Sequence, residues 1–260
     1  MMEKTLFQEA ELQVAYEFGN APIRAFPYAH LYLEDVFPKS FYQAIQDNLP
    51  VGDQWSPIAE KRRVTGYHER FVCCFDEQSL GELDPQRQAF WRQFRDTFLR
   101  GSLKAFLLDK LRPQIERRFK GAMPAAFRDE LLLVQDIQQY ALGPHTDSPR
   151  KVVTVLFYLP PDLSQEALGT SIYLPRDAGF VCKGGPHYER EHFLRLKTMP
   201  FRPNSVFCFV KTDNSFHGVE RIGDADCRRW LLLYDIYVDE QAATPGPVLS
   251  PSSIIGRLGV

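Results

Sequence analysis

The chain has 260 residues, of which 44% are hydrophobic and 25% are charged, and its formal net charge is −2. These values are typical of a globular protein with one large domain or two small ones. A net charge so close to zero argues against a broad basic surface for nucleic acid. No stretch approaches the ~20 apolar residues of a membrane span. We therefore expect neither nucleic acid nor a membrane as a partner.

The cysteines and the N-terminal segment predict the compartment. The five cysteines are odd in number, include no C-x-x-C pair for zinc and lack the spacing of a disulfide framework. Free thiols in a reducing compartment explain this pattern best. The first residues, MMEKTLFQEAELQV, carry acids where a secretory signal would be basic. We therefore expect a cytoplasmic protein. The cysteines are Cys73, Cys74, Cys182, Cys208 and Cys227.

The N-terminal third of the chain predicts both strands and helices. Residues 25–37 alternate in their middle and indicate a strand. Pro38 then begins a helix whose apolar residues recur every four positions, and Pro50 ends it. Residues 51–80 are irregular, apart from a strand predicted at 69–75.

A helix with a clear start signal follows. Asp84 provides its N-cap and Pro85 its first turn. Gly101 and Ser102 interrupt the apolar pattern before a second helix begins at Leu103. The first helix has an aromatic stripe at four-residue spacing, which indicates packing against a core. This stripe consists of Phe90, Phe94 and Phe98.

After residue 130 the sequence consists of short, β-rich segments separated by Pro, Gly, Asn and Asp turns. Helices followed by a run of strands indicate an α+β chain, a mostly β sandwich or jelly roll backed by N-terminal helices. The alternating strand and helix order of a Rossmann sheet is missing, and so is G-x-G-x-x-G. The predicted strands are 131–140, 151–159, 170–174, 193–199, 205–210 and 229–238.

The domain organisation follows from this order. We expect a single domain over residues 1–240, with mixed helical support in 1–130 and the jelly-roll core in 131–238. The last stretch, 241–260, is rich in Pro, Ser and Gly and is expected to form a loosely held tail. Neither a G-x-S-x-G elbow nor a P-loop is present, so acyl or phosphoryl transfer has no support.

Three side chains that can bind a metal stand next to predicted strands. His145 and Asp147 lie two residues apart, and in extended chain such residues project to the same side. His217 is predicted at the end of the strand at 205–210. Two histidines and one carboxylate on strands of one β-fold can form a facial triad, which leaves three coordination sites open. This donor set suits non-haem Fe(II).

In these segments the sequence resembles the Fe(II)/2-oxoglutarate-dependent oxygenases, in particular their prolyl-4-hydroxylase-like branch. The resemblance covers roughly residues 130–238 and is weaker over 25–50. One departure is the turn Pro203-Asn204, where the family usually has Gly-Asp. The matching segments are H-T-D at 145–147, S-F-H-G-V at 215–219, R-R-W-L-L-L-Y at 228–234, Y-x-x-G from Tyr140 to Gly143 and L-G-T-S-I-Y-L-P at 168–175.

The resemblance implies a double-stranded β-helix (jelly roll) in which His145, Asp147 and His217 bind Fe(II) and serve catalysis. It implies 2-oxoglutarate and O2 as cosubstrates, with ascorbate as a stimulating reductant. The implied reaction is hydroxylation of an unactivated C–H bond with release of succinate and CO2. A carboxylate at position 147 argues against the halogenating branch, which leaves that position free for chloride.

The resemblance also implies that an arginine binds the distal carboxylate of 2-oxoglutarate, for which a bidentate guanidinium is suited. Arg228 and Arg229 are adjacent on a predicted strand, so they face opposite ways and only one can point into the barrel. Two positions beyond its arginine the family often has Ser or Thr, and Leu231 leaves more space there than Trp230. This comparison favours Arg229. Tyr140 stands where the family often places a hydroxyl near this carboxylate, although a strand tyrosine is as often part of a core.

Two other functions stay open at this stage. One is a β-sandwich protein that binds a ligand without turnover, and the other is a zinc metallohydrolase that uses the same triad. The prime substrate, a small molecule or a protein side chain, is not predicted by the sequence. Loops such as 51–70 and 176–192 would contact it. His187 and His192 in the second loop are either solvated or part of a lid or substrate contact.

Overall fold

The described strands form two antiparallel sheets of seven and four strands, as seen in a computed structural model of the chain. The tail expected at 241–260 lies outside the described residues. The described part of the chain comprises residues 2–62, 66–99, 101–223 and 227–240, except for the side chains of residues 2–5 and 62.

In chain order the strands are β1 (His30–Leu33), β2 (Ser56–Pro57), β3 (Arg70–Cys74), β4 (Phe127–Asp136), β5 (Leu142–His145), β6 (Lys151–Tyr158), β7 (Thr170–Pro175), β8 (Phe193–Thr198), β9 (Ser205–Val210), β10 (His217–Val219) and β11 (Arg229–Val238). The larger sheet has the order β1-β9-β6-β11-β4-β3-β2. The smaller sheet has the order β5-β10-β7-β8. All pairs of neighbouring strands are antiparallel.

The described α-helices precede the β core in the chain. They are α1 (Met2–Asn20), α2 (Lys39–Asp47), α3 (Ile58–Arg62), α4 (Glu77–Gly81), α5 (Pro85–Phe98), α6 (Leu103–Lys110) and α7 (Arg112–Arg118). As expected, the Asp84 side chain caps α5 by accepting hydrogen bonds from the backbone N–H groups of Gln86 and Arg87.

The strands from β4 to β11 form a double-stranded β-helix. β4, β6, β9 and β11 lie in the larger sheet, whereas β5, β7, β8 and β10 form the smaller one. The late strands insert between early ones, because β11 pairs with both β4 and β6, and β10 pairs with both β5 and β7. This topology confirms the predicted jelly-roll fold. The strands β1, β2 and β3 extend the larger sheet at its two ends.

The two faces of the larger sheet bury different partners. Alternate residues such as Leu131 and Leu133 of β4 belong to a core cluster that contains the buried residues of α1, α2, α5 and α6. Their neighbours Leu132 and Val134 belong to a second cluster that includes Ile172 of the smaller sheet. Because side chains alternate along a strand, one face of the larger sheet packs on helices and the other faces the barrel interior.

The aromatic stripe of α5 lies in the helix-covered core, as the sequence predicted. Phe94 and Phe98 are each 1% exposed, and their ring centroids are 4.4 Å apart. Phe37 and Phe41 from the N-terminal region pack against the same rings. These stacked rings anchor the helices to the larger sheet, because Phe37 also stacks on Phe157 of β6.

The helix α1 was not predicted from the sequence. Its buried residues Phe7, Ala10, Val14 and Phe18 follow spacings of three and four residues, which place them on one face of a helix. They join the core cluster that contains the stripe of α5. The helical spacing is therefore present in the sequence of this segment.

The cysteines of the chain are free thiols. All five cysteines are buried, and none of them forms a disulfide. Burial raises the pKa of Cys73 to about 12, so this thiol stays protonated at neutral pH. No helix in the described part of the chain is both long and apolar enough to span a membrane.

Two local predictions were wrong. The strand predicted at 131–140 ends at Asp136, and a turn with a positive φ of 74° at Gln139 follows it. Tyr140 therefore stands after a turn and not on a strand. His217 does not end the strand at 205–210 but begins the separate strand β10 in the other sheet.

Replacing Phe94 with alanine should lower the free energy of unfolding by about 3–5 kcal/mol, because the deletion leaves a cavity among packed rings. Urea denaturation followed by circular dichroism measures this change. Leu12→Ala is the control, since Leu12 is 72% exposed and its removal should cost less than about 1 kcal/mol. Equal losses in the two variants would show that the ring cluster is not an anchor.

Candidate metal and cosubstrate site

The paired strands β5 and β10 bring the three predicted metal ligands together. His145 ends β5 and is the direct cross-strand partner of His217, the first residue of β10. Asp147 follows His145 by two residues, in the segment that leads into β6. One nitrogen of each histidine and one oxygen of Asp147 lie within 4.8 Å of one another. The three side chains are therefore close enough to bind one ion.

Backbone carbonyls orient both imidazoles. Nδ1 of His145 is 3.0 Å from the carbonyl oxygen of Gly143, and Nδ1 of His217 is 3.0 Å from that of Ser215. A neutral ring that donates its Nδ1–H to a carbonyl has its lone pair on Nε2. Phe209 packs against His217 with ring centroids 4.6 Å apart. The two Nε2 atoms are thus set for ligation.

The carboxylate of Asp147 is also held on both oxygens. The hydroxyl of Thr154 donates a hydrogen bond of 2.8 Å to Oδ2, and Nζ of Lys151 lies 3.3 Å from Oδ1. Lys151 in turn forms an ion pair of 2.9 Å with Asp235. Oδ2 of Asp147 is 4.0 Å from Nε2 of His217. These contacts fix the carboxylate beside the histidines.

The protonation states suit a divalent metal. Burial lowers the pKa of His145 to about 3 and also lowers the pKa of His217, so both rings are neutral at pH 7. Burial alone would raise the pKa of Asp147, but the charge of Lys151 and the hydrogen bond from Thr154 act in the opposite direction, and this pKa lies below its usual range. Two neutral imidazoles and one carboxylate are the donor set that non-haem Fe(II) prefers. The residues present therefore fit the expected metal.

A cavity of about 100 Å³ extends from the triad into the barrel. Its wall next to the triad is apolar and contains Leu156, Leu231 and Leu233. Arg229 lines the same cavity and is 1% exposed. The guanidinium of Arg228 instead donates a hydrogen bond to the carbonyl of Cys227. The structure thus places Arg229 in the interior, the orientation favoured from the sequence, and its binding of a ligand stays a prediction.

Arg229 belongs to a row of three charged residues across neighbouring strands. Asp136 of β4 is the direct cross-strand partner of both Arg229 on β11 and Arg70 on β3. Its Oδ2 accepts a hydrogen bond of 2.7 Å from Nη1 of Arg229. Arg70 donates to both carboxylate oxygens, at 2.6 and 3.0 Å. Asp136 has no exposed surface.

Sequence reasoning missed Arg70 and Asp136. Asp136 is the acid at the end of the apolar segment LLLVQD, and a lone charge in such a segment is a signal of a buried ion pair. Arg70 gives no comparable signal, because a cation at the start of a strand is usually on the surface.

Tyr140 does not line the cavity of the triad. It is 1% exposed, and the guanidinium of Arg70 lies 4.4 Å from the centroid of its ring. Its hydroxyl is buried and has no hydrogen-bond partner among the described residues. Burial raises the pKa of Tyr140 above its usual value, so the hydroxyl is protonated. The structure thus brings Tyr140 to Arg70, while its predicted contact with 2-oxoglutarate stays a prediction.

A larger cavity of about 600 Å³ lies on the outer side of the triad. The two loops expected near the substrate meet here, because the hydroxyl of Tyr67 is 3.1 Å from Nε2 of His187. The ring centroid of His187 is 4.6 Å from that of His145. His192 is not part of this site and lines a separate apolar pocket with Phe180 and other residues.

No protein-family profile and no curated protein matches the chain. Among the solved structures that resemble it are a 2-oxoglutarate/Fe(II) oxygenase family protein and prolyl hydroxylases. A prolyl hydroxylase from Trichoplax adhaerens, in complex with a peptide fragment of the hypoxia inducible factor oxygen degradation domain, has 12% identity and a TM-score of 0.48, over 92% of this chain and 93% of that one.

Two further solved structures show the same likeness. A 2-oxoglutarate/Fe(II) oxygenase family protein from Burkholderia pseudomallei has 14% identity and a TM-score of 0.44, over 90% of each chain. HygX from Streptomyces hygroscopicus, with nickel and 2-oxoglutarate bound, has 13% identity and a TM-score of 0.44, over 85% of each chain. At these values the likeness concerns the fold, and the functional proposal below rests on the side chains of this chain.

Each of the substitutions His145→Ala, Asp147→Ala and His217→Ala should abolish binding of Fe(II) or Mn(II). The fold should persist, because the core lies in the strands and helices. Isothermal titration calorimetry with Mn(II) measures the binding, and thermal unfolding checks the fold. His187→Ala is the control, because this neighbouring imidazole is not in the ligand set. Near-normal affinity in one of the three variants would remove that residue from the triad.

Replacing Asp136 with alanine should lower the free energy of unfolding by about 3–5 kcal/mol, because it leaves the guanidiniums of Arg70 and Arg229 buried without their carboxylate. Chemical denaturation measures this loss. Asp109→Ala is a matched control, since Asp109 pairs with Arg112 at the surface with 80% of its side chain exposed, and we expect no measurable change. An equally small effect in both variants would contradict the importance of the buried row.

Proposed function

We propose that this protein is a dioxygenase dependent on Fe(II) and 2-oxoglutarate that hydroxylates an unactivated C–H bond. The observation that carries the proposal is one shared cavity in the barrel. It is lined both by the ligand set of His145, Asp147 and His217 and by the buried cation Arg229. A facial triad next to a buried guanidinium fits a metal whose cosubstrate is a dicarboxylate.

In the proposed reaction, some residues of this chain would bind the metal and others would exclude water. His145, Asp147 and His217 would hold the metal and leave it open to the cosubstrate and O2. Leu231 and Leu233 exclude water from the wall between the triad and the cation. With 2-oxoglutarate and O2, the bound Fe(II) supplies the oxidising chemistry that converts a C–H bond into a hydroxyl and releases succinate and CO2.

The deep end of the cavity would bind the distal carboxylate of 2-oxoglutarate. Arg229 donates from Nε to the carbonyl of Leu168 and from Nη1 to Asp136, so two of its three nitrogens are fixed in place. A guanidinium held in this way is preorganised for a charge-assisted hydrogen bond. Tyr140 supports this end through its contact with Arg70. Arg228 would make no contact with the cosubstrate.

The outer cavity is the proposed place for the prime substrate. It borders His145 and Asp147, so a C–H bond presented there would lie next to the metal. Tyr67 and His187 line it from two different loops. A small molecule and a protein side chain are both compatible with about 600 Å³ and an open mouth. Ascorbate would keep the metal reduced during turnover.

Succinate release tests the proposed function against its alternatives. The protein is supplied with Fe(II), ascorbate, O2 and 2-oxoglutarate, and succinate is measured with and without a metabolite library. Formation of succinate that is absent in Asp147→Ala supports the dioxygenase. If no succinate forms and zinc stays bound through purification, the metallohydrolase is favoured. Binding of a ligand without succinate or hydrolysis would favour the non-catalytic binding protein.

Replacing Arg229 with alanine should raise the concentration of 2-oxoglutarate required for half-maximal succinate release at least about a hundredfold. Loss of the partner of a buried carboxylate costs about 3–5 kcal/mol, and 1.4 kcal/mol corresponds to a factor of about ten. Arg228→Ala should change this concentration little. A large effect in Arg228→Ala and none in Arg229→Ala would show that the adjacent arginine binds the cosubstrate.

A further inference from the structure

We propose that Arg70 is a second guanidinium for the distal carboxylate of 2-oxoglutarate, and that Asp136 positions it together with Arg229. This inference rests on the proposed function and deepens it. Arg70 comes from β3, outside the strands β4–β11 that form the double-stranded β-helix. The N-terminal part of the chain would therefore contribute a binding residue in addition to Arg229 of the barrel.

The placement of Arg70 follows from strand register. Arg70, Asp136 and Arg229 are direct cross-strand partners on β3, β4 and β11, and side chains of such partners lie on the same face of a sheet. Both arginines line the cavity that contains the triad. The side chain of Arg70 is 14% exposed and that of Arg229 is 1% exposed. Each is thus a largely desolvated cation at the same end of the cavity.

The charge of this row favours one added anion. Two guanidiniums and one carboxylate carry a net charge of +1, because Asp136 is the acid that both arginines share. A monoanionic carboxylate would neutralise the row. Desolvated net charge is costly, so the distal carboxylate of a dicarboxylate would relieve a cost that the ligand-free protein bears. A neutral ligand would not relieve it.

Each guanidinium keeps donors that the protein does not use. Arg70 donates to Asp136 through Nε and Nη2, and Arg229 uses Nε and Nη1. This leaves Nη1 of Arg70 and Nη2 of Arg229 without an acceptor among the described residues. The planar group of Arg70 is also held by the ring of Tyr140 at 4.4 Å. Two fixed guanidiniums with unused N–H groups can share one carboxylate between them.

Direct binding of 2-oxoglutarate tests this inference without turnover. The Mn(II)-loaded protein is titrated with 2-oxoglutarate under anaerobic conditions by isothermal titration calorimetry, with Arg70→Met, Arg229→Met and Arg228→Met compared with the unmodified chain. We expect the Kd to rise at least tenfold in Arg70→Met and Arg229→Met, and less than twofold in Arg228→Met. The Kd of Arg70→Lys should lie between those of the unmodified chain and Arg70→Met, because lysine keeps the positive charge but lacks the bidentate guanidinium.

A second ligand separates binding from a structural role. 2-Oxopentanoate has the same chain length as 2-oxoglutarate but a methyl group in place of the distal carboxylate. Arg70→Met should weaken the binding of 2-oxoglutarate much more than the binding of 2-oxopentanoate, while the affinity for Mn(II) stays unchanged. An equal loss for both ligands would show that Arg70 only supports the fold. If Arg70→Met does not fold, the same comparison is made with Arg70→Lys.

The outcomes distinguish this inference from the proposed function. If the unmodified protein with Mn(II) does not bind 2-oxoglutarate, the proposed function itself fails. If it binds 2-oxoglutarate and Arg70→Met binds it within twofold as tightly, only the role of Arg70 is overturned. A tenfold loss confined to the dicarboxylate supports both.

Discussion

Charged side chains can be buried between two sheets only where opposite charges lie within hydrogen-bond distance, and this constraint determines both ends of the barrel. At the deep end, Asp136 bonds to Arg70 and Arg229. Near the triad, Lys151 bonds to Asp147. The deep row joins residues directly opposite one another on neighbouring strands, so a one-residue slip of β11 would turn its arginine to the helix-covered face. The ion pairs therefore require the same register that aligns the apolar interior.

Sequence patterns predicted the elements with strong local signals. The segment 151–159 is apolar and β-branched with turns on both sides, and it matches β6 closely. The N-cap at Asp84 marked the start of α5 for the same local reason. Short strands lack such a signal, because three residues such as β10 cannot show a period. Their position depends on pairing with distant strands, and for that reason His217 was assigned to the wrong strand although its role as a candidate ligand was recognised.

The candidate site was predictable where spacing alone carries the information. His145 and Asp147 stand two residues apart. Strand alternation shows that only one of Arg228 and Arg229 can face the interior, and the smaller size of Leu231 compared with Trp230, judged against the family's pattern, favoured Arg229. Arg70 was not predictable in this way, because its place beside Asp136 depends on the pairing of β3 with β4, which no local pattern contains. The pair His145 and Asp147 therefore follows from short-range sequence, whereas the place of His217 and the charge balance of the row Arg70, Asp136 and Arg229 follow from long-range register.

The two sides of the triad also differ in which elements build them. The inner cavity is lined mostly by residues of strands, which hold side chains in fixed positions. The outer cavity is also lined by many strand residues, but loops add to it. Tyr67 and His187 from two of these loops contact each other, and His187 packs against His145. Loop residues can vary without disturbing the strands. A fixed inner side suits a constant cosubstrate, and the loop residues on the outer side suit a substrate particular to this protein. Because Tyr67 and His187 line the cavity that borders His145 and Asp147, a substrate bound there would lie beside their contact.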